Sequence, residues 1–285
     1  MRRSGSVGSV IAAAVFGGFV SADASTSPSA LAGYAIAKGG DARWELPDAL
    51  REISGLAATP DGRVFAHGDE RAMIVELDVG REGVKKTFAL GRHGARGDFE
   101  GLAIADGRFW LVTSDGILYE SVEGANSAFV SFRTYDTGVG TLCEVEGLAF
   151  DPSSNALLIA CKAPRVRALR GMVAVFTWSI PRRALVNRTG IRVRADLVAR
   201  AAGVSDFHPS GIERDPTTGH WLLVAARERA VAELTSDGRI VAGATLARRG
   251  HRQPEGIAVG ADRALFIGDE GAGRRGTLTT YRYAR

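Results

Sequence analysis

The sequence predicts an all-β chain closed into a five-bladed β-propeller of four-stranded antiparallel blades, and three observations carry that prediction. First, the segments Glu52-Ile-Ser-Gly-Leu-Ala, Asp98-Phe-Glu-Gly-Leu-Ala, Glu144-Val-Glu-Gly-Leu-Ala, His208-Pro-Ser-Gly-Ile-Glu and Gln253-Pro-Glu-Gly-Ile-Ala repeat one pattern. They align on Gly55, Gly101, Gly147, Gly211 and Gly256, at spacings of 46, 46, 64 and 45 residues. Second, each glycine is followed by an apolar strand, a turn rich in Asp, Pro or Gly, and another apolar strand, the signature of a hairpin. Third, two more strands fit inside each repeat, as Ala72 to Asp78 and Lys85 to Leu90 do in the first.

Along the chain, Met1 to Ala24 opens with Arg2 and Arg3, runs through an apolar stretch from Val10 to Val20 and ends Ala22-Asp23-Ala24. That is the pattern of a signal peptide with a small-residue cleavage site, and the stretch is short of the roughly 20 residues a membrane span needs. Cleavage leaves a soluble periplasmic or secreted protein; retention would make the segment an N-terminal anchor. Residues 25–33 read as a linker and 34–285 as a single propeller domain. No Cys follows the apolar stretch to carry a lipid anchor.

Tyr34 to Leu46 precedes the first repeat, and only 30 residues remain from Gly256 to Arg285, enough for three strands. The N-terminal segment is therefore expected to supply the missing strand and close the ring, which removes exposed sheet edges. The 64-residue spacing is too short for two blades and reads as one blade with an insertion around Lys162 to Gly171. A six-bladed ring would require a repeat that the sequence does not contain. Cys143 and Cys161 fall on the two arms of a hairpin, where a disulfide and a pair of buried thiols are both open readings.

In a propeller the innermost strands line a central channel, so repeated positions on them converge. The residue before each glycine is Ser54, Glu100, Glu146, Ser210 or Glu255, and two residues earlier stand Glu52, Asp98, Glu144, His208 and Gln253. Six of these ten are carboxylates, which repel one another by about 1 kcal/mol per pair at 4 Å in water and by about 4 kcal/mol at an effective dielectric of 20. Such a ring calls for a cation. A hard divalent ion, Ca²⁺ first, suits Glu52, Asp98, Glu100, Glu144, Glu146 and Glu255, because no paired His or Cys is at hand. The competing reading makes these acids staples that accept backbone N–H bonds between blades.

A second column, 14 residues after each glycine, holds Asp69, Asp115, Cys161, Ala225 and Glu270, with Glu70 and Asp269 adjacent. Antiparallel geometry returns it to the same face, where Asp69, Asp269 and Glu270 can join the rim; turn chemistry is the plainer reading. Basic loops share that face: Arg92, His93 and Arg96, then Lys162, Arg165, Arg167 and Arg170, then Arg248, Arg249 and Arg252. An acidic centre within a basic rim suits an anionic small molecule bridged by metal. Of these basic residues, Lys162, Arg165 and Arg249 are the candidates for the ligand rim.

Composition narrows the classes further. With 45% hydrophobic and 24% charged residues the 285-residue chain can bury a core. The net charge of +4 comes from arginines scattered along the chain, which is no nucleic-acid footprint. No Ser-His-Asp order, phosphate cradle, zinc spacing or dinucleotide fingerprint occurs.

The segments Glu52-Ile-Ser-Gly-Leu, Gly97-Asp-Phe-Glu-Gly-Leu-Ala, Gly68-Asp-Glu and Gln253-Pro-Glu-Gly-Ile-Ala resemble the SdiA-regulated family of exported bacterial propellers, over roughly Leu50 to Gly271. They are also similar to the esterase-like phytase propellers. The first resemblance implies an envelope protein; the second implies ester or phosphoester hydrolysis. Glu52, Asp98, Glu100, Glu146 and Glu255 match the shared positions, whereas His208 and Ser210 replace acids in the fourth blade.

The functional expectation is a monomer whose mouth binds a divalent cation and an anionic small molecule. As a metal-dependent hydrolase it would use Glu146 or His208 to take the proton. The alternative is a non-catalytic envelope module that binds a partner through the same face.

Overall fold

The computed structural model describes residues 28–284, so the expected signal segment and cleavage site lie outside the described residues. Five antiparallel sheets form the ring. From axis to rim, the first blade is Ile53–Ala58, Val64–Gly68, Met73–Asp78 and Gly83–Leu90. The second is Phe99–Ala105, Arg108–Thr113, Ile117–Val122 and Phe132–Asp136, and the third is Cys143–Asp151, Ala156–Pro164, Met172–Ser179 and Ala184–Arg194. The fourth is Gly211–Arg214, Trp221–Ala225, Ala230–Leu234 and Ile240–Thr245. The fifth takes Pro254–Val259, Leu265–Asp269 and Thr277–Tyr281 from the end of the chain and Ala42–Glu45 from its beginning, with Trp44 opposite Leu278. The ring is closed by the N-terminal strand, as the sequence predicts.

Blades pack through apolar faces. Phe65 meets Phe109 edge-on at 4.9 Å between the first and second, and Trp110 meets Trp178 at 5.6 Å between the second and third. These are the offset geometries that aromatic quadrupoles prefer.

Three details differ from the sequence reading. The long third repeat is lengthened mostly at its rim: its outer strand has 11 residues and is followed by the helix Ala195–Ala202, while Lys162 to Gly171 holds only a strand end and the short turn Arg167–Leu169. The helix presents Ala195, Val198, Ala199 and Ala202 on one face, the i, i+3, i+4, i+7 stripe, and buries it in the core shared with the fourth blade. Next, a short strand, Ala128–Val130, leaves the second blade and pairs in parallel with Gly83–Leu90, covering the first blade's outer edge. Finally, part of the expected linker is docked: Ala30 and Leu31 are buried, and Ser29 Oγ and the amides of Ala30 and Leu31 all donate to the buried Glu233.

The repeated glycines explain themselves in three dimensions. A methyl group on Gly101 would stand 2.6 Å from the Leu148 amide nitrogen, and one on Gly147 would stand 3.0 Å from Gly211 Cα. One on Gly211 would press on the Glu255 carbonyl, one on Gly256 would stand 3.2 Å from the Gly55 carbonyl carbon, and one on Gly55 would stand 3.0 Å from the Leu102 amide. Each glycine touches the next blade, in ring order, with no room for a side chain. The five backbones form a collar around the axis that encloses a space of only about 10 Å³, roughly one water.

Candidate functional site

Immediately before the collar four of the five innermost strands are bulged: the register slips between Ile53 and Gly55, Phe99 and Gly101, Val145 and Leu148, and Pro254 and Gly256. A bulge breaks the two-residue alternation, so the residue before the glycine and the glycine itself both face the axis. That is how Ser54, Glu100, Glu146 and Glu255 come to ring the channel; Ser210 holds the matching position of the fourth blade, whose strand pair has no register slip. Ser54, Glu146 and Ser210 are buried; Glu100 and Glu255 are partly so.

The electrostatics of this ring follow from burial and crowding. Burial, with the charges of Glu146 and Asp98, pushes Glu100 up to about 9. Burial and Glu146 raise Glu255 to about 8. Burial raises Glu146 to about 7, with the Lys162 ammonium pulling the other way. Lys162 Nζ donates to Glu146 Oε1, and despite its own burial the lysine is held above its ordinary range by Glu146, Glu255 and Glu100. One ammonium thus serves three carboxyl groups.

Lys162 is half exposed, so solvent screening weakens the pair. Replacing Lys162 by Met is expected to lower stability by about 1 kcal/mol at pH 8 and to do almost nothing at pH 5, where Glu146 is already neutral. Urea melts at the two pH values measure the difference.

The outer column is more open and is held in place by hydrogen bonds. Glu52 and Asp98 are exposed, and Ser114 Oγ donates to Asp98 Oδ2 at 2.6 Å. Glu144 is partly buried, and Gln253 Nε2 donates to Glu270 Oε2 at 3.0 Å. Burial and Glu52 raise both Asp69 and Glu270, which gathers these three acids at the junction of the first and fifth blades. His208 is gripped instead by Glu228, at 2.8 Å from Nδ1, with Asp206 Oδ2 at 3.7 Å from Nε2.

Several rim residues are placed otherwise than their sequence spacing suggests. Asp269 is buried and accepts from the Arg252 amide at 2.9 Å, while its other oxygen meets His251 Nδ1 at 2.8 Å; it braces the fifth blade and does not face the mouth. Asp115 accepts from Thr113 Oγ1 in a turn. Arg165 donates to the Gly140 carbonyl, and Arg249 offers its own carbonyl to Arg43 Nη1 at 2.9 Å. Cys143 and Cys161 are buried free thiols; the bulged register pairs Cys161 with Val145 and Cys143 with Pro164, yet the two thiols remain hydrogen-bonded neighbours.

The donor set, carboxylate oxygens with a serine hydroxyl, has the chemistry of a hard-cation site. Among the described residues no three of His, Cys, Asp and Glu already stand together as metal ligands. The ring side chains would have to turn toward a common ion.

Sequence reasoning missed a carboxylate on the third strand of three blades. Glu76 pairs with Arg63, Glu120 with Arg108, and Glu233 with His220. Their alternation in Ile74-Val-Glu-Leu, Leu118-Tyr-Glu-Ser and Val231-Ala-Glu-Leu reads as an ordinary solvent face, and their partners come from hairpins that spacing does not specify.

Comparison with known proteins gives a family model described as SdiA-regulated, matching residues 46–272. No curated protein matches by sequence. Among solved structures the chain is similar to a Myxococcus xanthus glutaminyl cyclase, at 16% identity and a TM-score of 0.56 over 86% of this chain and 95% of that one. It is also similar to a luciferin-regenerating enzyme, at 8% identity and a TM-score of 0.53 over 86% of this chain and 98% of that one. At these identities the likeness is one of fold.

Proposed function

The chain belongs to the SdiA-regulated family, and from that premise we propose that its carboxylate-ringed mouth binds a divalent cation, Ca²⁺ by donor chemistry, together with an anionic small molecule in an exported, monomeric protein. One observation carries the reading: Glu100, Glu146 and Glu255 line one channel close enough to feel one another's charge, burial raises all three, and a single ammonium answers them. A site that holds carboxyls protonated against their nature is one that a cation stabilises. Arg92, Arg96 and Arg248 are exposed and supply positive charge for an anion beside the metal. A metal there would polarise a bound ester or phosphoester, and Glu146 is the ring group whose affinity for protons suits it to take one near neutrality.

The rival reading, a non-catalytic envelope module with the ring as staples, is favoured at one position. Ser210 Oγ donates to the Pro254 carbonyl at 2.7 Å and accepts from the Ala226 amide at 3.0 Å, joining the fourth blade to the fifth.

The test is a pH series of thermal melts with Ca²⁺ and with chelator, beside elemental analysis. Glu100, Glu146 and Glu255 have folded values above the unfolded 4.5, so the folded state binds more protons than the unfolded one. Their contribution is full below about 4.5 and is lost as pH rises through about 7 to 9. In chelator the melting temperature is expected to fall over that window, and Glu100→Gln to flatten the fall. Ca²⁺ is expected to restore the melt at pH 8 to 9, and Glu146→Gln to abolish any phosphoester turnover without unfolding the protein. Identical curves with Ca²⁺ and chelator, and no ion by elemental analysis, would leave the staples.

A further inference from the structure

On the far side of the glycine collar the channel opens into a second cavity, of about 720 Å³ and distinct from the mouth. Its wall comes from the ends of the innermost strands. Two residues past the collar, strand alternation turns side chains back to the axis. There the first three blades place Ala57, Ala103 and Ala149, and the fourth has Glu213. Ile104, Phe150 and Val259 add an apolar lining around this carboxyl, and Asp106, Glu123, Arg63 and Arg214 are the other charged groups of the wall.

Of those other charged groups Asp106 is exposed to solvent, and the rest are already matched. Arg63 donates to Glu76 through Nε at 3.1 Å and through Nη2 at 2.8 Å, and it also pairs with Glu123. Arg214 Nε lies 3.5 Å from Asp151 Oδ1. Among the described residues Glu213 has no side-chain partner, and its only hydrogen bond is from the Arg214 amide, at 2.6 Å. Burial in these surroundings raises its carboxyl to about 8.

We propose that this cavity binds a primary amine carried on an apolar body, with the ammonium on Glu213 and the apolar part against the alanine-lined wall. Its volume lies in the 300–1,000 Å³ range of small-molecule sites, which are mostly apolar with one or two polar anchors. An ammonium supplies the opposite charge that the buried carboxyl lacks, in a charge-assisted hydrogen bond. A carboxylate ligand would meet Glu213 with like charge, since both nearby guanidinium groups are engaged.

The probe is 2-phenylethylamine, titrated calorimetrically into the purified full-length protein beside 2-phenylethanol and 3-phenylpropanoate. The amine is expected to bind at least 10-fold more tightly than the alcohol, and the acid not to bind. Glu213→Gln, nearly isosteric, is expected to weaken the amine at least 10-fold and to leave the alcohol unchanged. Because it removes an unpaired buried carboxyl, it should melt no lower than the parent at pH 9. Glu100→Gln, on the other side of the collar, should leave amine affinity unchanged. Amine binding lost in Glu100→Gln but kept in Glu213→Gln would place the amine in the mouth and overturn the proposal. Equal binding of the three probes, or no amine binding at millimolar concentration, would also overturn it; the comparison of probes requires no variant to fold.

Discussion

Replacing Gly147 by alanine is expected to lower the unfolding free energy by about 4 kcal/mol, through two separable causes. The residue adopts φ +119°, a conformation L side chains rarely take, and its new methyl group would press on the backbone of Gly211 and Ile212 in the next blade. Two other glycines isolate these terms. Gly171 has φ +70° and open space around it, so Gly171→Ala carries the conformational term alone, about 1 kcal/mol. Gly101 has no positive φ but no room either, so Gly101→Ala carries the steric term, about 3 kcal/mol. Denaturant melts of the three variants would show this order. A Gly101→Ala variant as stable as the parent would mean that the collar relaxes freely and does not fix the distance between blades.

Truncating Glu233 to alanine should destabilise the protein by about 3–5 kcal/mol, the range for breaking a buried charged network from one side. The carboxylate is fully buried, and burial alone would raise it. The amides of Leu31 and Ala30, the Ser29 hydroxyl and His220 hold it below the usual carboxylate range. Contacts of 2.6 Å from Ser29 Oγ, 2.8 Å from the Ala30 amide, 3.0 Å from the Leu31 amide and 2.6 Å from His220 Nδ1 satisfy it. Without it, these four groups lose their shared partner under a core that includes Leu31, Tyr34 and Ile36. Because the folded value is depressed, this stabilisation is present above about 4.5 and is lost as pH falls through the folded value. The variant is therefore expected to differ most from the parent near neutrality and least in acid, and to expose residues near Ser29 to limited proteolysis. A neutral-pH melt within 1 kcal/mol of the parent would show that the N-terminal segment does not depend on this anchor.

The blades were legible in the sequence because a propeller repeats one backbone problem five times. The collar admits only glycine, and the preceding bulge aims one polar side chain at the axis, so Gly55 through Gly256 and Glu100, Glu146 and Glu255 fall into columns. What did not repeat stayed hidden. Glu233 reads as one polar residue in an alternating strand; the segment that covers it comes from some 200 positions away. Asp269 sits in an Asp-Glu-Gly turn pattern, and only the fold brings His251 against it. Lys162 was legible as a rim charge but not as the ring's counter-ion, because its reach depends on side-chain geometry. Glu213 was visible as the one acid in an alanine column, but nothing in the sequence says that the column faces a cavity.

The pairing of Ala42–Glu45 with Thr277–Tyr281 also sets a timetable. Arg43 and Thr277 are 234 residues apart, so the fifth sheet stays incomplete until the last strand has left the ribosome. Until then the first strand waits with one edge bare, and the chain carries the slow step expected of long-range strand pairing. A circular permutant with its ends placed between the second and third blades would turn that final pairing into a local hairpin. Its refolding should be faster even if the finished ring is no more stable.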